Sequence, residues 1–161
     1  MIRHLALPIL ATCLTVVALA PAAHAQSPST AQNSCRDIRS SVIDDSQLRP
    51  ELRIHASCAY EVRDPVLSTF FKDVTKTEWR DTSVSVTGIE NNGGRLNWYN
   101  DGRASSFVRN CRDIVVSVGG ASGLMLSATC DTGVTGSGPR ELTSTLPLWG
   151  IENQNGQLLQ K

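Results

Sequence analysis

The chain has no excess of either charge, since 15 lysines and arginines face 15 aspartates and glutamates in 161 residues. That balance excludes the basic surface that nucleic acid or an anionic membrane would require. Beyond residue 25 no apolar run approaches the ~18 residues that cross a bilayer. Histidine is almost missing there too: His55 stands alone, so a Ser–His–Asp triad would have to be built on it. It alternates with Leu52, Ile54 and Ala56, as a solvent-facing strand residue would. No two cysteines have the close CxxC spacing of a zinc site. Asp44-Asp45 lacks the further spaced ligands of a calcium loop and reads as an acidic turn. Neither an enzyme, nor a metal site, nor a cofactor is expected.

What the N-terminus does have is a leader. MIRHLALPILATCLTVVALAPAAHA, residues 1–25, runs from a basic start at Arg3 through an apolar middle to the small-residue exit Ala23-His24-Ala25. This predicts a secretory signal cleaved near Ala25, and a secreted or periplasmic product spanning 26–161. Cys13 lies within the apolar run and does not read as a lipoprotein anchor.

Four further cysteines, Cys35, Cys58, Cys111 and Cys130, are an even set in an exported chain and so predict two disulfides, with three pairings open. The repeats around them choose one. SCRDI at 34–38 returns as NCRDI at 110–114, LRIHASC at 52–58 as LMLSATC at 124–130, and GIENNGGRL at 88–96 as GIENQNGQL at 150–158. Three landmarks in the same order are a duplication, which selects Cys35–Cys58 and Cys111–Cys130, one staple in each copy. Each staple is worth roughly 3 kcal/mol through loop closure.

The offset between copies shrinks from 76 residues (Ser34 to Asn110) to 72 (Leu52 to Leu124) and 62 (Gly88 to Gly150). The first copy, about 33–109, therefore carries an insertion near 61–81, a polar stretch expected to be an elongated loop. The second copy is about 110–161. Residues 52–58 and 124–130 alternate with period two and 113–118 is rich in β-branched residues, so both copies read as short strands. The nine-residue repeat reads as a hairpin, with Asn92-Gly93 and Asn155-Gly156 as dipeptides suited to positive φ. Trp98 and Trp149 flank the hairpins and read as core.

Two tandem cysteine pairs, each combined with an I-E-N-x-x-G-x-L hairpin, resemble the cyanovirin-N homology family over the span from about Asn33 to the C-terminus. The resemblance implies an all-β fold of two pseudo-symmetric repeats, each a three-stranded sheet plus a β-hairpin, with the hairpins crossed over. One half would then comprise roughly 26–87 with 149–161, and the other 88–148. It also implies a metal-independent lectin for mannose-containing oligosaccharides, with one site in each half.

Carried over residue by residue, the inner glycan site would use Glu90, Asn91, Asn92, Gly93, Ser105, Ser106, Asn110, Asp131 and Thr132. The outer site would use Asn33, Ser34, Glu61, Asn153, Gln154 and Asn155. Such side chains both donate to and accept from sugar hydroxyls, and carboxylates make the stronger charge-assisted bonds. Where the family commonly places Asp ahead of the hairpin glycine, this chain has Gly93 and Asn155, and Ala59-Tyr60 also depart from its usual polar pair. The alternative is a scaffold that has lost sugar binding and works as a protein-interaction module through the 61–81 segment. The linker YNDGRASS at 99–106 is long and lacks proline, which predicts a monomer over a domain-swapped dimer. Glycans are the expected partners; nucleic acid and membranes are not.

Overall fold

A computed structural model describes residues 27–43, 50–72, 74–99, 101–119 and 123–161. The leader, its cleavage point, Cys13 and the Asp44-Asp45 turn lie outside the described residues.

The first repeat opens with a 3-10 turn at Ala31–Asn33 and forms the antiparallel sheet β1 (Cys35–Ile43), β2 (Glu51–Arg63) and β3 (Thr75–Val86), in the order β1-β2-β3. A hairpin follows, β4 (Ile89–Asn92) and β5 (Arg95–Trp98). The second repeat copies the plan: a 3-10 turn at Phe107–Arg109, the sheet β6 (Cys111–Val118), β7 (Leu124–Asp131) and β8 (Glu141–Leu148), then the hairpin β9 (Ile151–Gln154) and β10 (Gln157–Gln160). The fold is all-β and pseudo-symmetric, as the repeats predict.

The hairpins cross over. The Leu158 N–H of β10 donates to the Thr82 hydroxyl of β3 at 3.1 Å, while the Leu96 N–H of β5 donates to the Ser144 hydroxyl of β8 at 3.0 Å. The hairpin at the chain end thus docks on the first sheet, and the central hairpin docks on the second.

Alternation decides which side chains are buried. Leu52, Ile54, Ala56 and Cys58 of β2 point inward, as do Leu124, Leu126, Ala128 and Cys130 of β7. Ile89, Leu96, Ile151 and Leu158 of the hairpins join them, together with Phe107, in one continuous core. Each such large side chain contributes about 1.5–3 kcal/mol when fully buried. The disulfides are Cys35–Cys58 and Cys111–Cys130, both linking directly opposed residues of neighbouring strands. Trp98 packs against the core, and Trp149 is half-buried and bridges Pro28. His55 lies on the face opposite the core residues, half-buried, with Nε2 at 2.8 Å from the Ser41 hydroxyl.

The repeated CRDI encodes a bulge. The ladder slips by one residue between Arg36 and Arg39, and again between Arg112 and Val115, with Asp37 and Asp113 both at φ 54°. Aspartate tolerates this left-handed conformation better than most residues.

Two expectations need correction. The turn dipeptides are Gly93-Gly94 (φ 59° and 86°) and Asn155-Gly156 (φ 48° and 82°), so Asn92 is the last residue of β4 and not a turn residue. Positive φ at both central positions is what a two-residue hairpin turn matched to strand twist demands. The 61–81 segment is not an elongated loop. β2 and β3 stay in register out to Arg63 opposite Thr75, and only the residues between them form the connection. The insertion lengthens a hairpin because Tyr60, Val62, Trp79 and the threonines favour paired strand.

Candidate functional site

The two IEN triplets place one asparagine each at the foot of a turn. Asn91 Oδ1 accepts the Gly94 N–H at 2.8 Å, and its Nδ2 donates to the Asp131 carbonyl at 2.8 Å. Asn153 does the same, accepting from Gly156 N–H and donating to the Ala59 carbonyl, again at 2.8 Å each. One amide thus closes the turn and ties it to the residue that follows a disulfide on the facing sheet. These asparagines are clamps; Asn91 keeps one N–H and one lone pair in reserve, whereas Asn153 gives its second N–H to the Ser34 hydroxyl.

Next to the clamp the halves diverge. In the second, β7 ends at Asp131 and the chain wanders through 132–140 before β8. Asp131, Gly133, Val134, Thr135, Pro139, Arg140 and Glu141 line an open cleft of about 850 Å³ there. Asp131 is exposed, with Oδ1 accepting the Gly133 N–H at 2.8 Å. The Thr132 hydroxyl donates to the Pro139 carbonyl at 2.7 Å, pinning the two walls together. Glu141 is gripped by the Arg112 guanidinium through two bonds of 3.2 and 2.6 Å. That hydrogen bonding holds the Glu141 carboxyl below its usual range against a small opposing effect of burial.

In the first half, the residues after Cys58 stay in β2. Tyr60 takes the place that Thr132 holds in the second half, and its ring lies where a Cβ on Gly156 would come within 3.0 Å. The ring is covered by the Arg80 guanidinium at 4.5 Å, and its hydroxyl donates to Glu78 at 3.0 Å. Glu78 in turn pairs with Lys76 at 2.8 Å. On the other face, Arg36 stacks on Trp79 at 4.2 Å, where the equivalent Arg112 grips Glu141. Two stacked cation–aromatic pairs, one on each face of the sheet and worth about 0.5–1 kcal/mol per exposed pair, thus stand where the second half has the irregular wall of the cleft.

Of the expected inner set, the structure brings Asn91, Gly93, Asn110, Asp131 and Thr132 to one place: the turn abuts Asp131, and the Asn110 carbonyl accepts the Asp131 N–H at 2.8 Å. Glu90 is half-buried, while Asn92 and Ser106 are exposed. Ser105 does not belong to a binding surface. It is buried, donating to the Val86 carbonyl at 2.8 Å and accepting the Ile89 N–H at 3.1 Å. Ser29, its counterpart 76 residues earlier, is likewise buried and donates to the Ile151 carbonyl. Both serines seal the entry of a crossed hairpin.

The expected outer set is not assembled in the same way. The Ser34 hydroxyl accepts from Asn153 Nδ2 at 3.1 Å, which occupies both. Glu61 alternates onto the face opposite Tyr60, away from the turn that Tyr60 packs against. Asn33, Gln154 and Asn155 are exposed. The lining residues Gly133, Val134, Thr135, Pro139, Arg140 and Glu141 were not picked out by sequence reasoning. Their one signal was the Gly- and Ser-rich run between LMLSATC and ELTSTL. Among the described residues, no three His, Cys, Asp or Glu side chains gather in a way that could hold a metal ion.

No family model matches the sequence, and no curated protein matches it. Among solved structures, the chain is similar to an NMR structure of a designed Cyanovirin-N homolog lectin, LKAMG. The two share 21% sequence identity with a TM-score of 0.47, covering 81% of this chain and 98% of that one. The duplicated architecture rests on this chain's own strand order, crossed hairpins and disulfides.

Proposed function

We propose that the protein is an exported, monomeric, metal-independent carbohydrate-binding protein with its working site in the second half. The observation that carries this reading is the open cleft beside Asp131, built against the Asn91 turn and lined by short polar groups, exposed backbone and one fixed carboxylate. Neutral sugar hydroxyls need neighbours that both donate and accept, and this wall offers Thr135, Asp131, Arg140 and the spare valences of Asn91. The ligand class is a mannose-containing oligosaccharide. Among the described residues of the first half, Tyr60 and its partners pack against the turn at the place where the second half opens its cleft. Binding is therefore monovalent, without the avidity that two equal sites would add.

The test is an amide chemical-shift titration with an α1,2-linked mannose disaccharide, then with longer oligomannose. Shifts are expected at 90–94, 110, 131–135 and 139–141, with 33–34, 59–61 and 153–155 silent. Equal shifts in both halves would refute monovalency, and silence throughout at millimolar ligand would refute sugar binding.

A further inference from the structure

The lengthened β2–β3 hairpin ends in an apolar tip. Val66, Leu67, Phe70 and Phe71 are 67, 45, 77 and 64% exposed, large values for such side chains in one short segment. The chain has three phenylalanines; Phe107 is fully buried, and the other two stand here.

The N–H groups from Val66 to Phe71 are provided for from within. Pro65 has no N–H. The amides of Val66 and Leu67 both donate to Asp64 Oδ1 at 2.9 Å. Ser68 N–H donates to the Asp64 carbonyl at 3.0 Å, and Thr69 N–H to the Val66 carbonyl at 3.3 Å. Phe70 and Phe71 N–H both donate to the Leu67 carbonyl, at 3.0 and 2.8 Å. The Thr69 hydroxyl caps the Pro65 carbonyl at 3.0 Å. N–H groups closed in this way lower the cost of moving the tip out of bulk water. Arg63 and Lys72 stand at the neck of the tip, where phosphate headgroups would lie, beside Lys76, which pairs with Glu78, and Asp64, whose carboxylate is taken up by the tip's own N–H groups.

We infer that the β2–β3 tip is a membrane-interface anchor that sinks Val66, Leu67, Phe70 and Phe71 into the headgroup–acyl boundary of a phospholipid bilayer. The chain's neutral net charge and the lack, among the described residues, of a helix able to cross a membrane bear on spanning and on long-range attraction. An apolar anchor uses neither. The anchor would hold the sugar-binding half at a lipid surface, but its existence does not depend on the glycan reading.

The test places a reporter at the tip of the full chain, Phe70→Trp, beside a control at an exposed apolar residue of the second sheet, Val115→Trp. Each is titrated with phosphatidylethanolamine–phosphatidylglycerol vesicles carrying brominated acyl chains. Blue-shifted, bromine-quenched fluorescence at 70 but not at 115 is the expected result. The Phe70→Ser, Phe71→Ser double variant should lose vesicle partitioning about tenfold or more while keeping its melting temperature. Equal quenching at both positions would assign binding to another part of the chain, and no quenching at 70 would leave a protein groove as the occupant; either overturns the anchor.

Discussion

Asn91 and Asn153, 62 residues apart, make the same two hydrogen bonds: each accepts from the second turn residue of its own hairpin and donates to the carbonyl that follows a buried half-cystine of the facing sheet. The duplicated triplet is therefore a fastening for crossed hairpins, and any ligand at the turn meets a side chain already engaged.

Replacing either asparagine by alanine should cost about 2 kcal/mol or more, since Asn91 loses two hydrogen bonds and Asn153 three, worth roughly 1 kcal/mol apiece. The two clamps share no partner, so the double variant should show an additive loss. Urea unfolding of the three variants checks both statements; an effect below ~0.5 kcal/mol at either position would remove the clamp from the account.

The turns should respond unequally to substitution. Gly93→Asn reproduces the residue found at 155 in open space at φ 59°, so its melting temperature should stay within a degree or two, or rise. Gly94→Ala places a Cβ 2.8 Å from Thr132 Cγ2 at φ 86° and should destabilise by more than about 1 kcal/mol. Thermal melts of the pair decide this.

Cys58 and Cys130 are fully buried and lie directly opposite their partners. Removing one disulfide through a paired Cys→Ala change should cost about 2–5 kcal/mol. Loss of both should abolish cooperative unfolding, which circular dichroism in the presence of reductant would reveal.

Glu141 has a pKa lowered by the Arg112 fork, so this pair supports the fold fully above the ordinary glutamate range. That support fades only as pH falls through the depressed folded value. In Glu141→Gln the slope of melting temperature against pH should flatten in that acidic window and match wild type near neutrality. An unchanged acid slope would mean that the fork adds nothing to stability.

Asp131 and Arg140 line the cleft without belonging to the core. Asp131→Ala and Arg140→Ala should each weaken oligomannose binding about tenfold or more, whereas Tyr60→Ala should leave it unchanged. Calorimetric titration should give one site per chain.

Much of this architecture was legible in the chain, because its signals are local and occur twice. LxLxAxC alternation marks which face of β2 and β7 is buried, and the ordered landmarks pair the cysteines. The turn was misplaced by one residue because Asn-Gly and Gly-Gly both satisfy positive φ, and only strand register tells which pair sits at the apex. The insertion was misread as a loop because its polar residues hide the alternation of Tyr60 and Val62. By itself the sequence determined the repeat, the staples and the hairpins, since each follows from residues close in the chain or duplicated within it. Only the tertiary structure decided what those repeats offer to a ligand. Docking of each hairpin on the other repeat's sheet buries Ser105, engages Asn91 and Asn153, and sets Tyr60 against Gly156 in one half while leaving a cleft beside Asp131 in the other. Burial and vacancy at such contacts depend on partners 16 to 122 residues away, and local pattern carries no record of them.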